Sequence, residues 1–429
     1  MNRIIDQYES EVRGYCRSFD ATFEHAKGAW LTDVDGKRYL DFLAGAGVLN
    51  YGHNPPALRE RLIEYIEADG VSHSLDFYTA AKERFLARLH EIVLAPRGLE
   101  YRVQFPGPTG TNAVEAAMKL ARKVTGRTNV VYFSNGFHGM TVGSLAVTGN
   151  EGKRKGAGQP LANATPVPFD GYLGEGVDTV DYLERMLADR GSGLDMPAAV
   201  ILETVQAEGG VNVASSEWLQ RLETVCREYG IVLIVDDIQV GCGRTGRFFS
   251  FEDAGIRPDI VTLSKSLSGY GQPFAVTLIR PELDVWKPGE HNGTFRGNNL
   301  AFVTATAALE TFWRDDALTR DVERRGALTA ERLQRIAADN PGLEATVRGR
   351  GFIWGLACED RPAADEISAA CFERGLIMET AGIDDHVLKF LAPLTIDDAD
   401  LEWGLDVLAD AARTVVQRRH GAGASRSAA

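Results

Sequence analysis

Short apolar runs recur through the middle of the chain and alternate with segments of helical periodicity. Five runs are rich in Val, Ile, Leu or aromatic residues: YRVQF (101–105), NVVYFS (129–134), PAAVILET (197–204), GIVLIVDD (230–237) and DIVTLS (259–264). Several are apolar at consecutive positions, which is typical of strands buried on both faces. The pattern predicts an α/β fold in which helices cover a large, mostly parallel sheet.

The two ends of the chain have patterns that differ from the middle. Residues 1–50 contain a helical segment and two apolar runs around Asp35-Gly36, a good hairpin turn signal. From residue 316, a long charged helix, a Gly-rich strand pair, another helix and VLKFLAPLTI predict a smaller α+β domain. We predict that 1–50 and 316–418 form this small domain, that 51–315 form a large cofactor-binding domain, and that 419–429 are a disordered tail.

Composition argues against several classes of partner. The chain has 429 residues, and 46 Lys and Arg against 60 Asp and Glu residues give a formal net charge of −14. An acidic protein repels nucleic-acid phosphates and anionic membranes. Neither a run of about 20 apolar residues nor a secretory signal is found in the sequence. The five cysteines lack paired spacing, so we expect reduced thiols in the cytoplasm and no metal site.

A candidate anion site follows the first strand of the middle region. YRVQF runs into PGPTGTNAVEAAMKL, whose apolar residues fall on one helical face. Backbone N–H groups of Gly110 and Thr111, at the positive end of this helix, can point at a phosphate. Taken alone, the segment is explained better by an ordinary capped turn between strand and helix. The sequence has no GxxxxGK[ST] loop, so it gives little support to an ATP site.

Two ring side chains follow the second strand, in SNGFHGMT (134–141). Phe137 can lie flat on a planar ligand, where stacking contributes about 0.5–1.5 kcal/mol. Taken singly, a Phe after a strand is more often a core residue, and His138 is more often a polar neighbour than a ligand.

The run GIVLIVDD ends in two adjacent carboxylates, Asp236 and Asp237. Adjacent strand residues point to opposite faces, so only one of them can face a given ligand. A buried carboxylate needs a positive or hydrogen-bonding partner, and its position at the end of a strand makes it a candidate site residue. A metal-ligand pair is the competing interpretation, which the opposed faces weaken.

A lysine, Lys265, ends the next apolar strand in PDIVTLSKSLSGYG. Lysine is almost never fully buried without a partner. Held in a partly apolar pocket, its amine loses affinity for the proton and becomes a nucleophile that can bond to a carbonyl carbon. The competing interpretation is a lysine that reaches solvent from a loop. Together, a nucleophilic lysine, a phosphate site, a stacking ring and a buried aspartate are the four parts that pyridoxal phosphate requires.

The motifs TGTNAVEA, GFHGMT, ETVQAEGG, DDIQVGCGRTG, LSKSLSG and HNGTFRGNN occur in this order. In this respect the chain resembles, over nearly its whole length, the class III aminotransferases of the ornithine and γ-aminobutyrate type, which are pyridoxal-phosphate enzymes of fold type I. The resemblance implies that Lys265 is the covalent tether and proton carrier, and that Asp236 bonds the pyridine nitrogen. It further implies that Phe137 stacks on the ring and that Gly110 and Thr111 hold the phosphate.

The same resemblance assigns further residues. Gln239 matches a glutamine near the phenolic oxygen of the cofactor, and His138 lies beside the cofactor. Thr294 matches a threonine that reaches the phosphate of the neighbouring subunit, which implies a homodimer or a higher homo-oligomer with shared active sites. Glu208 matches the glutamate of the QxEGG motif, and Lys389 stands where the family usually has the arginine that pairs with it.

Departures from the wider family bear on the substrate. Met140 replaces an arginine that grips a substrate carboxylate in ornithine and γ-aminobutyrate enzymes, and Thr204 replaces the proline of a Glu-Pro pair. We expect the Glu208–Lys389 ion pair to be closed when one substrate binds and to open so that Lys389 can bind the second carboxylate of glutamate. Because lysine is a point charge, we expect it to bind that carboxylate less tightly than an arginine would. Ala207, where a glycine is common, weakens the most specific assignment slightly.

The resemblance extends to the branch of the family that transfers the amino group of L-glutamate to L-aspartate 4-semialdehyde, by ping-pong kinetics. Three alternatives stay open at this point. The acceptor can be another ω-aldehyde, as with ornithine, γ-aminobutyrate or a pathway-specific diamine, or the reaction can be an intramolecular amino shift. From a different class, the chain can be a non-catalytic regulatory protein that binds the cofactor.

Overall fold

The computed structural model describes the backbone of residues 4–426 and the side chains of residues 4–419. The strands are β1 (Phe23–Lys27), β2 (Trp30–Asp33), β3 (Arg38–Asp41), β4 (Arg102–Gln104), β5 (Val130–Phe133), β6 (Ala164–Val167), β7 (Ala199–Leu202), β8 (Val205–Gln206), β9 (Asn212–Val213), β10 (Val232–Asp236), β11 (Ile260–Leu263), β12 (Val276–Ile279), β13 (Thr346–Arg350), β14 (Ile353–Ala357), β15 (Leu376–Ile377), β16 (Glu379–Ala381) and β17 (Val387–Phe390).

Helices alternate with these strands along the chain. The α-helices are α1 (Ile4–Tyr8), α2 (Tyr15–Ser18), α3 (Ala44–Gly47), α4 (Pro56–Glu67), α5 (Ala80–Arg88), α6 (Gly110–Thr125), α7 (Val142–Ala146), α8 (Glu151–Lys155), α9 (Thr179–Ala188), α10 (Ser216–Glu228), α11 (Asn299–Phe312), α12 (Ala317–Asp339), α13 (Arg361–Glu373) and α14 (Asp398–Arg426). Single turns of 3₁₀ helix include Lys265–Ser268 and Thr294–Arg296. In the described part of the chain, no helix has both the length and the apolar character needed to cross a membrane.

A seven-stranded sheet lies at the centre, in the order β4-β12-β11-β10-β7-β5-β6. β10 pairs in parallel with β7 and β11, and β5 pairs in parallel with β6 and β7. Only β12, among the strands of this sheet, runs antiparallel to both its neighbours. The five strands predicted from apolar runs all lie in the sheet, which confirms the mostly parallel α/β fold. The prediction did not include β6 and β12.

Helix α6 shows how the pattern of apolar residues places a helix on this sheet. Ala113, Ala116, Ala117 and Leu120 are fully buried on one face of the helix. Small alanine side chains let the helix axis come close to the sheet, where Thr277 Oγ1 of β12 donates a hydrogen bond of 3.2 Å to the Ala113 carbonyl. The N-terminus of α6 therefore sits next to the ends of the central strands, which carry the site.

The two ends of the chain share a second sheet, in the order β1-β2-β3-β15. The predicted hairpin at Asp35-Gly36 joins β2 to β3, and Gly36 has a φ of 83°. β15, from the C-terminal part, pairs in parallel with β3. A third sheet has the order β13-β14-β17-β16. These pairings support our proposal that 1–50 and 316–418 form one small domain beside the large domain, 51–315.

The end of the chain differs from its compositional prediction. Helix α14 continues to Arg426, whereas composition predicts a disordered tail over 419–429. Residues 427–429 lie outside the described residues, so for them the tail stays a prediction.

Candidate active site

A cavity opens at the carboxyl ends of β5, β7 and β10. In a mostly parallel sheet this edge is the usual place for a ligand. The cavity is lined by most of the residues that the sequence singles out: Gly110, Thr111, Phe137, His138, Glu208, Asp236, Gln239 and Lys265. Lys389 lies behind Glu208, whereas Thr294 lies in an exposed surface loop.

Asp236 is the last residue of β10, and its carboxylate is 4% exposed. Its Oδ2 lies 2.7 Å from His138 Nδ1, and its Oδ1 accepts a hydrogen bond of 3.0 Å from Thr262 Oγ1. Asp237 points to the opposite face of the strand, where Ser250 N donates to its Oδ2, and burial raises the pKa of Asp237 to about 7. The carboxyl group of Asp236 thus faces the cavity and that of Asp237 faces the protein interior, as strand geometry requires.

Lys265 follows β11 with a φ of 46°, in the left-handed region that a lysine seldom adopts. Strained backbone of this kind persists where the surroundings enforce it and concentrates at functional sites. Its Nζ donates a hydrogen bond of 2.9 Å to the carbonyl of Ala46, which itself has a φ of 56°. Burial lowers the pKa of the Lys265 amine, and this effect is larger than that of the Glu208 charge, which raises the same pKa. The amine is therefore more readily available as a nucleophile than an exposed lysine.

The N-terminus of α6 faces the cavity with Gly110 and Thr111. Among the described residues, no side chain caps this end of the helix, so its first N–H groups are available to a ligand. Thr111 Oγ1 lies 2.7 Å from Thr141 Oγ1 and 2.9 Å from Ser144 Oγ. A Cβ on Gly139 would lie 2.5 Å from Thr111 Oγ1. The hydroxyl groups and the helix end together form a site suited to a phosphate.

Phe137 is held by its backbone, since its N–H donates a hydrogen bond of 2.9 Å to Glu203 Oε2. Burial, and then the charge of Asp236, raise the pKa of Glu203 well above its ordinary value. Burial thus favours the neutral form of Glu203, whose carboxyl group fixes the loop that carries the Phe137 ring. Lys153 Nζ lies 4.4 Å from the centre of the same ring. Neither Glu203 nor Lys153 was predicted from the sequence to be a neighbour of Phe137.

The Gln239 side chain lies between the Ala46 carbonyl and the Glu208 carboxylate. Its Nε2 donates to the Ala46 carbonyl at 2.9 Å and to Glu208 Oε1 at 3.0 Å. Its Oε1 is buried and has no hydrogen-bond partner within the described residues. A buried acceptor without a partner is costly, so this atom is suited to a donor on a bound molecule.

Lys389 has two carboxylate partners where the sequence predicted one. Its Nζ lies 2.6 Å from Glu208 Oε1 and 2.9 Å from Glu379 Oε1, and its side chain is fully buried. Burial alone would raise the pKa of Glu208, but the charges of Lys389 and Lys265 outweigh it and hold this pKa well below its ordinary value. Glu379 was missed in the sequence. It could have been predicted from METAGIDDHVLKF (378–390), because this segment has the form of a hairpin that places Glu379 opposite Lys389.

Comparison with known proteins assigns the family. Residues 14–412 match the model of the family Aminotransferase class-III, so the chain belongs to the class III aminotransferases. The resemblance stated from the motifs is thereby confirmed. Among the residues that the structure describes, no group of three or more His, Cys, Asp or Glu side chains is placed to hold a metal ion.

Curated relatives are more specific. The chain is 55% identical over 416 residues to the diaminobutyrate--2-oxoglutarate transaminase of Halalkalibacterium halodurans, covering 97% of each chain. It is 59% identical to the protein of that name from Nocardia farcinica, covering 96% of this chain and 94% of the relative. The one from Halomonas elongata is 58% identical, with 95% and 97% covered.

A solved structure agrees with the fold. The ornithine aminotransferase of Toxoplasma gondii superposes with a TM-score of 0.84 at 26% identity, covering 97% of this chain and 94% of that one. In that structure PLP occupies the active site of the protein in part. The α/β architecture of this chain is thus that of a class III aminotransferase.

Proposed function

We propose that this chain is a pyridoxal-phosphate-dependent transaminase that moves the amino group of L-glutamate to L-aspartate 4-semialdehyde, giving L-2,4-diaminobutyrate and 2-oxoglutarate. The observation that carries the proposal is the 55–59% identity, over nearly the whole length of both chains, to relatives named for this reaction. The cavity supports it, because it combines a nucleophilic lysine with sites for a phosphate and for a charged ring.

The residues of the cavity fit pyridoxal phosphate. The uncapped end of α6 suits its phosphate, and the unpaired Oε1 of Gln239 suits a donor on its ring. Asp236 is a buried carboxylate that lines the cavity, which suits a protonated ring nitrogen. Bound there, the cofactor would supply an aldehyde that bonds amines and a ring that withdraws electrons from the carbon losing its proton.

We assign roles to the residues of the chain accordingly. Lys265 would be the covalent tether and, once released as an amine, the base that takes the proton from the reacting carbon of the substrate and returns it. Its lowered pKa supports this, because a general base works best when its pKa is near the operating pH. Asp236 would hold the ring nitrogen protonated, and His138 and Thr262 orient its two oxygens for this contact.

The remaining residues would position the reactants. Gly110 and Thr111 would bind the phosphate, and Phe137 would cover one face of the ring, fixed by its bond to Glu203. Glu208, which lines the cavity and pairs with Lys389, would contact the bound substrate.

We also propose a homodimer in which Thr294 reaches the phosphate site of the partner subunit. Thr294 lies in a surface loop that contacts a second loop, where its carbonyl accepts a hydrogen bond of 2.7 Å from His73. Both loops expose large apolar side chains: Phe77 is 67% and Phe295 is 66% exposed. Apolar patches of this kind mark association surfaces. A cytoplasmic location, the expectation from composition, belongs to the same proposal.

A donor and acceptor screen tests the function. The purified protein is incubated with L-glutamate and one aldehyde at a time, and 2-oxoglutarate release is measured. We expect L-aspartate 4-semialdehyde to give the highest kcat/KM, above glutamate 5-semialdehyde and succinate semialdehyde. A preference for either of these would favour an ornithine or γ-aminobutyrate enzyme instead. Product from aspartate semialdehyde without any donor would indicate an amino shift, and a yellow protein that glutamate does not bleach would indicate a non-catalytic role.

A further inference from the structure

Three charged side chains meet at the end of the cavity that Glu208 lines. Lys389 lies between Glu208 and Glu379, with Nζ–Oε1 distances of 2.6 and 2.9 Å. Two carboxylates against one ammonium give the cluster a formal charge of −1 when all three are ionised. A simple pair of Glu208 with a cation would be neutral, so Glu379 changes the charge that a substrate meets.

The two carboxylates are supported differently. Glu379 and Lys389 are directly opposed residues of the antiparallel strands β16 and β17, and both side chains are buried. Glu208 lies in the loop between β8 and β9, next to Gly209 and Gly210, and 20% of its side chain is exposed at the cavity. Glu208 is therefore the member that can turn away from Lys389, while Glu379 stays paired with it.

We infer that Glu379 is a specificity-determining residue that keeps Lys389 neutralised after Glu208 has turned away. This end of the cavity then presents a neutral pair to the substrate, where a lone lysine would present a free cation. The inference rests on the proposed transaminase function, in which glutamate and a diamine use the same cavity in turn.

The cluster consequently favours one class of substrate over the other. With Glu208 in place, both carboxylates pair with Lys389, and its ammonium group is not available to a substrate carboxylate. With Glu208 turned away, a substrate carboxylate meets Lys389 N–H donors without a net positive charge. Glu379 therefore lowers the affinity of the cavity for a dicarboxylate such as glutamate relative to substrates that do not contact Lys389.

Neighbouring groups support an ionised Glu379 in the open arrangement. Burial raises the pKa of Glu379, the charge of Lys389 lowers it and the charge of Glu208 raises it, so departure of Glu208 removes one of the causes that favour its neutral form.

The test is the binding of glutarate, an unreactive five-carbon dicarboxylate, to the holoenzyme by isothermal titration calorimetry. Glu379→Gln removes the resident charge and keeps the shape of the side chain. We expect its Kd for glutarate to fall at least tenfold. Glu379→Asp, which retains the charge on the same strand, should keep the weak glutarate binding of the parent. Glu379→Leu provides the same loss of charge if the Gln variant does not fold.

An unchanged or increased glutarate Kd in Glu379→Gln overturns the inference, because a residue that only supports Lys389 would not restrain dicarboxylate binding. The calorimetric result does not depend on which aldehyde accepts the amino group. Failure of the proposed function would appear separately, as absence of diaminobutyrate from the turnover assay.

Discussion

Replacing Lys389 with Met tests whether the charged cluster holds the cavity end together. Lys389 is fully buried, and its removal leaves Glu208 and Glu379 without their cation. Removing one partner of a buried ion pair destabilises a protein by about 3–5 kcal/mol, because the remaining charge is buried without compensation. We expect a loss of this size at pH 8, measured as the shift of the denaturant midpoint at one fixed protein concentration.

The loss should depend on pH in a definite direction. In the parent, the lowered pKa of Glu208 contributes stability that is present above its unfolded value and is lost only as the pH falls through the folded pKa. In Lys389→Met, burial raises the folded pKa of both carboxyl groups above the unfolded value, so they destabilise at high pH and are protonated at low pH. The difference in the free energy of unfolding between the parent and Lys389→Met should therefore be larger at pH 8 than at pH 5.5.

Lys155→Met is the matched control, since Lys155 forms a highly exposed pair with Glu151 and should change the midpoint little. A loss below about 1 kcal/mol in Lys389→Met, or an equal gap at both pH values, would refute the reasoning, because a buried cation between two carboxylates cannot be removed so easily.

Three further predictions concern the chemistry of the site. Lys265→Ala should lose the visible absorption of the bound cofactor and nearly all turnover; retention of both would remove Lys265 from the mechanism. Asp236→Ala should fold and bind phosphate but lose at least about a hundredfold in kcat, which steady-state kinetics on glutamate would measure; unchanged kcat would contradict its assignment. Thr262→Val removes a donor to the Asp236 carboxylate, worth about 1.5–3 kcal/mol, so kcat should fall roughly 10- to 100-fold. Thr304→Val removes a buried hydroxyl that donates within α11 to the Ala301 carbonyl and should leave kcat unchanged, and an equal loss in both variants would contradict the role of the Thr262 hydroxyl.

The central sheet could be predicted from the sequence because its strands are buried on both faces. Runs such as 197–204 and 230–237 are apolar at consecutive positions, and this pattern can be recognised without knowledge of long-range contacts. The antiparallel strand β12 (Val276–Ile279) was not predicted, although all four of its residues are buried. It is short and follows a loop rather than a helix, and its direction is set by pairing with β4 and β11. Such pairing depends on residues distant in the sequence.

The candidate site was predictable where a residue type is rarely structural at its position. Lys265 and Asp236 stand at the ends of buried strands, and both lie in the cavity. The contacts that adjust them were not predictable: the Ala46 carbonyl reaches Lys265 from a residue more than two hundred positions away. Glu379 and Glu203 are ordinary glutamates in the sequence, and only burial makes them chemically unusual.

The central claim is the reaction itself, and the most direct measurement is product analysis. The protein, loaded with pyridoxal phosphate, is incubated with L-glutamate and L-aspartate 4-semialdehyde, and the amino acids are separated by chromatography. We predict L-2,4-diaminobutyrate and 2-oxoglutarate in equal amounts, with neither formed by Lys265→Ala. Consumption of glutamate with other aldehydes, but no diaminobutyrate from aspartate semialdehyde, would contradict the account.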